Sequence, residues 1–186
     1  KSTYVVRRTI PGMPDGIFIG ICNIDSDYFG DFGDYGPADG AFVWPTSLAF
    51  DASDNLYLAD EYNHRITVFD RSGGFLAKWG EHGSGPGQLN GPSGICFDSE
   101  GNVLVVDHLN NRIQRFDRDG RFLRGWGEEG SGDGQFNLPW GITVDAVGDV
   151  FVADWRNDRV QKFTADGEFL AVIGEPGEGD GQLTRP

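Results

Sequence analysis

Cysteine occurs only at positions 22 and 96, and methionine once. Two cysteines leave room for one disulfide at most. Each lies in an apolar stretch, FIGIC and GICF, so Cys22 and Cys96 read as buried free thiols, with a single disulfide as the alternative. No apolar run approaches the ~20 residues of a membrane span. No signal peptide is visible, and no N-x-Ser/Thr acceptor occurs, so that clue to secretion is missing. P-loop and nucleophile-elbow signatures are absent too. Positive charge is scarce: 15 Lys and Arg stand against 29 Asp and Glu, for a net charge of −14. A generic nucleic-acid surface needs clustered positive charge, and this balance argues against one. Helical repeats need amphipathic stretches of ten or more residues without breakers, and none fits.

What the chain does have is turns and short aromatic segments. Glycine occurs 29 times and aromatics make up 13% of 186 residues. That length suits one domain burying roughly 70% of its unfolded surface. Prolines fall at 45, 92, 139 and 186, each 47 after the last. Between them one grammar recurs: PTSLAFD, PSGICFD and PWGITVD; then DNLYLAD, GNVLVVD and GDVFVAD; then NHRITVFD, NNRIQRFD and NDRVQKFT; then GFLAKWG, RFLRGWG and EFLAVIG. A Gly-rich connector closes each unit. The segments 48–51, 56–60, 65–70 and 75–79 are rich in β-forming residues and separated by turn residues, so each unit reads as four short strands. A four-stranded meander repeated every 40–50 residues is the signature of a β-propeller, because no unit can bury both faces of its sheet without neighbours.

The motifs DEYNHRI, DHLNNRIQRFD and DWRNDRVQKF, each followed by G-x-FL and, between units, GQL-x-x-P-x-G-I-x-x-D, make the chain resemble the NHL-repeat proteins. The resemblance covers 45–185 fully and 4–44 weakly. It implies an all-β fold: a β-propeller of four-stranded antiparallel blades, three full ones at 45–91, 92–138 and 139–185 and a partial one at 4–44. Since NHL propellers usually have six blades, it also implies a fragment of a six-bladed ring, completed by further sequence or by self-association.

The repeated letters read as scaffold. Asp60, Asp107 and Asp154 end the second strand of each unit, with Asn63, Asn110 and Asn157 three residues on and Arg65, Arg112 and Arg159 after that. Asp and Asn close turns through nearby backbone, and an Arg entering the next strand can pair with that Asp and with loop carbonyls. Asp51, Asp98 and Asp145 recur in turns at the far end of the first strand and read as structural.

Binding is expected where the copies differ. In a meander a–b–c–d the b–c loops share a face with the connectors and with the start of strand a. That rim carries Tyr62, His64, His108, Trp140, Trp155 and Arg156, the residue types that anchor interfaces. The alternative for Trp140 and Trp155 is packing between blades. His64, His108 and His82 lie on this face and are the candidate zinc ligands, but nothing in their spacing requires them to converge. The acidic stretch from Asp25 to Asp31 suits calcium, although Phe29 and Gly36 fall where an EF-hand wants ligands. Peptidyl-α-hydroxyglycine α-amidating lyases share the repeat and hold zinc with a His after the strand-a proline; here Thr46, Ser93 and Trp140 stand in that place. Gluconolactonase-like six-bladed enzymes use channel carboxylates, for which only Asp51, Asp98 and Asp145 present themselves. Some NHL domains read single-stranded RNA, but the alternating arginines from Arg112 to Arg124 read as a solvated edge.

The function expected is therefore a non-catalytic scaffold binding a protein or peptide, without cofactor. The alternatives are a metal-dependent enzyme, amidating-lyase-like or lactonase-like, with part of its site outside this chain, or a structural module of a larger extracellular or envelope protein.

Overall fold

The computed structural model describes residues 2–8, 17–23 and 28–186, with side chains from residue 30 onward and at 19–21. Three four-stranded antiparallel sheets follow one another, each in the order a-b-c-d. The first blade is built from Pro45–Phe50, Leu56–Asp60, Arg65–Phe69 and Phe75–Trp79. The second uses Pro92–Phe97, Val103–Asp107, Arg112–Phe116 and Phe122–Trp126. The third uses Pro139–Val144, Val150–Asp154, Arg159–Phe163 and Phe169–Ile173. Strand a begins at the proline itself, three residues before the β-rich run, and pairs that proline with the Asp ending strand b: Pro45 with Asp60, Pro92 with Asp107, Pro139 with Asp154. Upstream, Ser2–Arg8, Ile17–Asn23 and Tyr28–Phe32 form a three-stranded antiparallel sheet, the partial blade without a strand a.

Strand period explains how the blades stack. Successive side chains point to opposite faces. In the first blade Leu56 and Leu58 face the partial blade, in one cluster with Phe42 and Phe69. Tyr57 and Ala59 face the other way and meet Val103, Val105 and Phe116 of the second blade. The second blade turns Leu104 and Val106 toward Val150, Val152 and Phe163 of the third. Every strand b between two neighbours is therefore apolar at each position before its closing Asp, a pattern that a single half-buried sheet would not produce.

One aromatic per joint completes this packing. Trp79 lies against Gly120 and Trp126 against Gly167, each in the c–d turn of the next blade. Both glycines have left-handed φ, +82° and +79°, and a Cβ on either would overlap the indole. Phe32 meets Gly73 in the same way at the first joint.

Cys96 is a free thiol beside the cluster between the second and third blades, and burial pushes it up to about 12. The Cys22 side chain, and Asp25 and Asp27 of the acidic stretch, lie outside the described residues. No helix among the described residues is long and apolar enough to cross a membrane.

Candidate functional site

The face that carries the b–c loops is first a set of clips. In the second blade, buried Asp107 accepts the Asn90 backbone amide at 2.6 Å, Asn110 Nδ2 at 2.9 Å, Arg112 Nε at 2.7 Å and Gln114 Nε2 at 3.0 Å. The same side chains reach back to the preceding connector. Asn110 donates to the Gly83 carbonyl, and Arg112 to those of Ser84, Gly85 and Gln88. The third blade repeats this with Asp154, Asn157, Arg159 and Gln161. Each clip fastens a b–c loop to the connector that enters its own blade, which is why Asp, Asn and Arg recur at fixed spacing. The turn aspartates at the opposite end are equally local: Asp51, Asp98 and Asp145 each accept amides two and four residues on.

A second clip uses the fourth b–c loop residue. His64, Asn111 and Asp158 all adopt left-handed φ, 52–53°. Each accepts the backbone amide 27 residues on: His64 Nδ1 from Gly91 at 3.0 Å, Asn111 Oδ1 from Leu138 at 2.7 Å, and Asp158 Oδ1 from Arg185 at 2.7 Å. His64 is therefore part of a joint, and its Nδ1 is engaged as an acceptor. Its ring lies 4.4 Å from that of His82. Burial and the neighbouring His82 both push the His64 imidazole below its ordinary value, against the opposing pull of Asp60 and Asp107. An imidazole in that environment stays neutral at pH 7.

His108 sits on a short 3-10 turn, His108–Asn110, and is buried. Its Nδ1 is 2.9 Å from the Pro139 carbonyl, which fixes the proton on Nδ1, and its ring meets Trp140 edge to face at 4.9 Å. Trp140 remains 41% exposed while Ser93 Oγ donates to its carbonyl at 2.8 Å. Thr46 Oγ1 donates to Pro92 O at 3.1 Å, one residue earlier in the next strand, so the positions after proline tie neighbouring a strands together. Arg156 is exposed and stacks on the half-buried Trp155, its guanidinium 5.4 Å from the ring centroid, with that of Arg185 5.5 Å from the same ring. Tyr62 is the most exposed of the five aromatic rim residues, at 68%.

The histidines do not assemble a metal centre. His64 and His82 are adjacent, but among the described residues no group of three His, Cys, Asp or Glu side chains is placed to hold an ion. The arginines of the second blade are engaged: Arg115 with Asp98 and Glu100, Arg118 with the Gly101 carbonyl, and Arg124 with Asp166.

The comparisons with known proteins agree with this geometry. Residues 46–124 match a family described as a 6-bladed β-propeller, and residues 136–163 match the NHL repeat. Both matches support an NHL-repeat β-propeller family. Protein brain tumor of Drosophila melanogaster is 41% identical over 44 residues, which are 24% of this NHL chain and 4% of the fly protein. B-box type zinc finger protein ncl-1 of Caenorhabditis elegans is likewise 41% identical over 44 residues, 24% of this chain and 5% of the worm protein. Among solved structures, a catalytically inactive variant of virginiamycin B lyase from Staphylococcus aureus, crystallised with quinupristin, aligns at a TM-score of 0.66 and 16% identity, over 97% of this chain and 62% of that one. A structural genomics protein of unknown function from Bacteroides thetaiotaomicron aligns at 0.68 and 16%, over 93% and 48%. The chain thus spans less than two thirds of each of these proteins, and at such identity the solved structures speak for the fold alone.

One element of the NHL face escapes the sequence reading. A groove of about 590 Å³ opens between the first two blades, lined by Trp44, Glu61, Tyr62, His64, Gly91 and Leu109. Tyr62 and His64 belong to the expected rim; Trp44, Glu61, Gly91 and Leu109 do not. The available signal was the residue before each strand-a proline, which runs Trp44, Gly91, Leu138 and Arg185 and shares nothing in size or charge.

Proposed function

We propose that this NHL propeller is a non-catalytic scaffold that binds a protein or peptide on the face formed by its b–c loops. One observation carries the reading. Some exposed apolar side chains keep the 47-residue period, as Leu76, Leu123 and Leu170 do along strand d, and belong to the architecture. Others do not run through every copy. Trp44 gives way to Gly91, Leu138 and Arg185, Trp140 stands where Thr46 and Ser93 do, and Tyr62 and Leu109, two copies of one position, give way to Arg156. Trp44, Tyr62, Leu109 and Trp140 are 41–68% exposed and lie on the b–c loop side. Large apolar side chains left partly in water at positions the repeat does not fix are the ordinary mark of an interaction surface.

The test is selection of binders from a displayed dodecapeptide library on the immobilised protein. Trp155→Ala and Arg156→Ala should weaken the selected peptides about tenfold or more while leaving the thermal midpoint nearly unchanged. Binders that ignore these substitutions and Tyr62→Ala would place recognition elsewhere. A collapse in stability would move Trp155 into the core.

A further inference from the structure

The proposed binding face, on which this inference depends, has one corner whose charge is unlike the rest of the chain. With a net charge of −14, nearly every cation finds an anion or a carbonyl. Among the described residues, the clip residues Arg65, Arg112 and Arg159 hold connector carbonyls. The other arginines of the second blade are engaged as given above, and Arg71, Lys78, Arg121 and Lys162 each have a carboxylate within 4.0 Å. Arg156 and Arg185 alone among the described cations have neither a carboxylate nor a carbonyl beside the guanidinium. Both are exposed, and both lie against one ring, 5.4 and 5.5 Å from the Trp155 centroid.

The corner stands on fixed backbone. Trp155 opens the 3-10 turn Trp155–Asn157. Arg156 gives its amide to Asn137 O at 3.0 Å, and Arg185 gives its own to Asp158 Oδ1 at 2.7 Å. The repeat requires none of the three side chains: Trp155 stands where Glu61 and His108 do, Arg156 where Tyr62 and Leu109 do, and Arg185 where Trp44, Gly91 and Leu138 do. Stacking occupies the face of a guanidinium and leaves its edge N–H donors open. Two like charges against one ring repel, and a carboxylate accepting from both edges offsets that repulsion. The rest of the chain selects the kind of anion. Its negative field repels a polyanion, whereas a single carboxylate among uncharged neighbours meets chiefly the local pair.

We propose that the Trp155 corner receives a glutamate or aspartate side chain of a peptide partner, whose carboxylate accepts hydrogen bonds from the guanidinium edges of Arg156 and Arg185.

The probes are a blocked Gly-Gly-Glu-Gly-Gly peptide and its glutamine counterpart, titrated into the ¹⁵N-labelled protein. The glutamate peptide should shift the Trp155 indole and the Arg156 and Arg185 resonances saturably. Glutamine, with nearly the same shape and no charge, should bind about tenfold more weakly. Arg156→Gln and Arg185→Gln should each cause a loss of similar size with the unfolding midpoint preserved, and Arg185→Lys, which keeps the charge and loses the fork, should fall between. Absence of saturable shifts at Trp155, equal binding of the glutamine peptide, or shifts that survive the joint replacement of both arginines by glutamine overturns the inference. Tighter binding of an acetylated pentaglycine with a free terminal carboxylate, or of an oligouridylate, also overturns it by assigning the corner to another anion. Shifts confined to the Tyr62, Leu109 and Trp140 region would overturn it while leaving the b–c face as the binding surface. Failure of the library selection described above would count against the face itself.

Discussion

The joint between the partial blade and the first blade is built like the next two, with fewer bonds. In the second and third blades, Gln114 and Gln161 extend from strand c into the clip. Each donates to the buried Asp and to a connector carbonyl, and each accepts a glycine amide, that of Gly87 or Gly134. The first blade has Thr67 there, and its buried hydroxyl has no partner among the described residues. The ion pair is looser too. Arg65 Nε stands 3.7 Å from Asp60, against 2.7 Å for Arg112 and Asp107 and 2.9 Å for Arg159 and Asp154. Arg65 still donates to the carbonyls of Pro37, Ala38 and Ala41, Asn63 Nδ2 donates to Gly36 O and to Asp60, and Asp60 accepts the Val43 and Trp44 amides. A blade can therefore be fastened without the glutamine. The glutamine adds a second hold, bonding the Asp, the connector carbonyl and the connector amide together.

The largest expected effect comes from removing the centre of a complete clip. Asp107→Ala leaves a largely buried guanidinium, a buried amide and the Asn90 backbone donor without their acceptor. Breaking a buried pair from one side costs about 3–5 kcal/mol. Asp60→Ala removes an acceptor with a longer ion pair and no glutamine, so its loss should be smaller. Equilibrium denaturation of both variants checks the order; an equal or larger loss at Asp60 would mean that the glutamine adds nothing to the clip.

An exchange of the distinguishing letter should have an intermediate effect. Gln114→Thr imports the first-blade arrangement and strands the Gly87 amide, for a loss of about 1–3 kcal/mol. Thr67→Gln exports the second-blade arrangement and should stabilise the first joint by about 1 kcal/mol. Midpoints moving in opposite directions confirm the comparison. If Thr67→Gln destabilises, the first joint lacks room for the longer side chain.

These two residues also mark how far the sequence could be read. The period exposed the Asp, Asn and Arg of each clip because all three are identical in every copy. Thr67, Gln114 and Gln161 lie inside strand c, where β-forming and polar residues alternate, and nothing in one strand announces that a glutamine reaches a connector 26 residues upstream. The period puts His64 on the rim, and its copies Asn111 and Asp158 belong to the residue types that tolerate left-handed φ, so its backbone role was legible and its hydrogen bond was not. His108 falls on the same rim; its burial follows from the following blade, whose Pro139 and Trp140 close over it. The groove was hidden most completely, because its lining joins two b–c loops to two residues that precede strand-a prolines, all far apart along the chain.

The smallest effect separates the first joint from its neighbours by pH. Among the copies of the fourth loop position only His64 titrates near neutrality, and its folded form favours the neutral ring for the reasons of burial and His82 proximity given above. Protonation of Nδ1 would turn the acceptor of the Gly91 amide into a second donor facing it. The sign follows from linkage: the folded value lies below the unfolded one, so the unfolded chain takes up the proton first. The contribution of this clip is complete above about pH 6.5, the unperturbed histidine value, and is lost as pH falls through the folded value. His64→Asn installs the Asn111 arrangement, which accepts the same amide, suits left-handed φ better and does not titrate. At pH 7.5 the variant should be as stable as the parent or slightly more so, and the difference in its favour should grow as the pH falls below 6.5. Every other ionisable group is common to both proteins, so subtracting one pH–stability curve from the other isolates His64. A flat difference curve would show that the Gly91 amide is held as well by the protonated ring, and that the three clips are equivalent in strength whatever residue makes them.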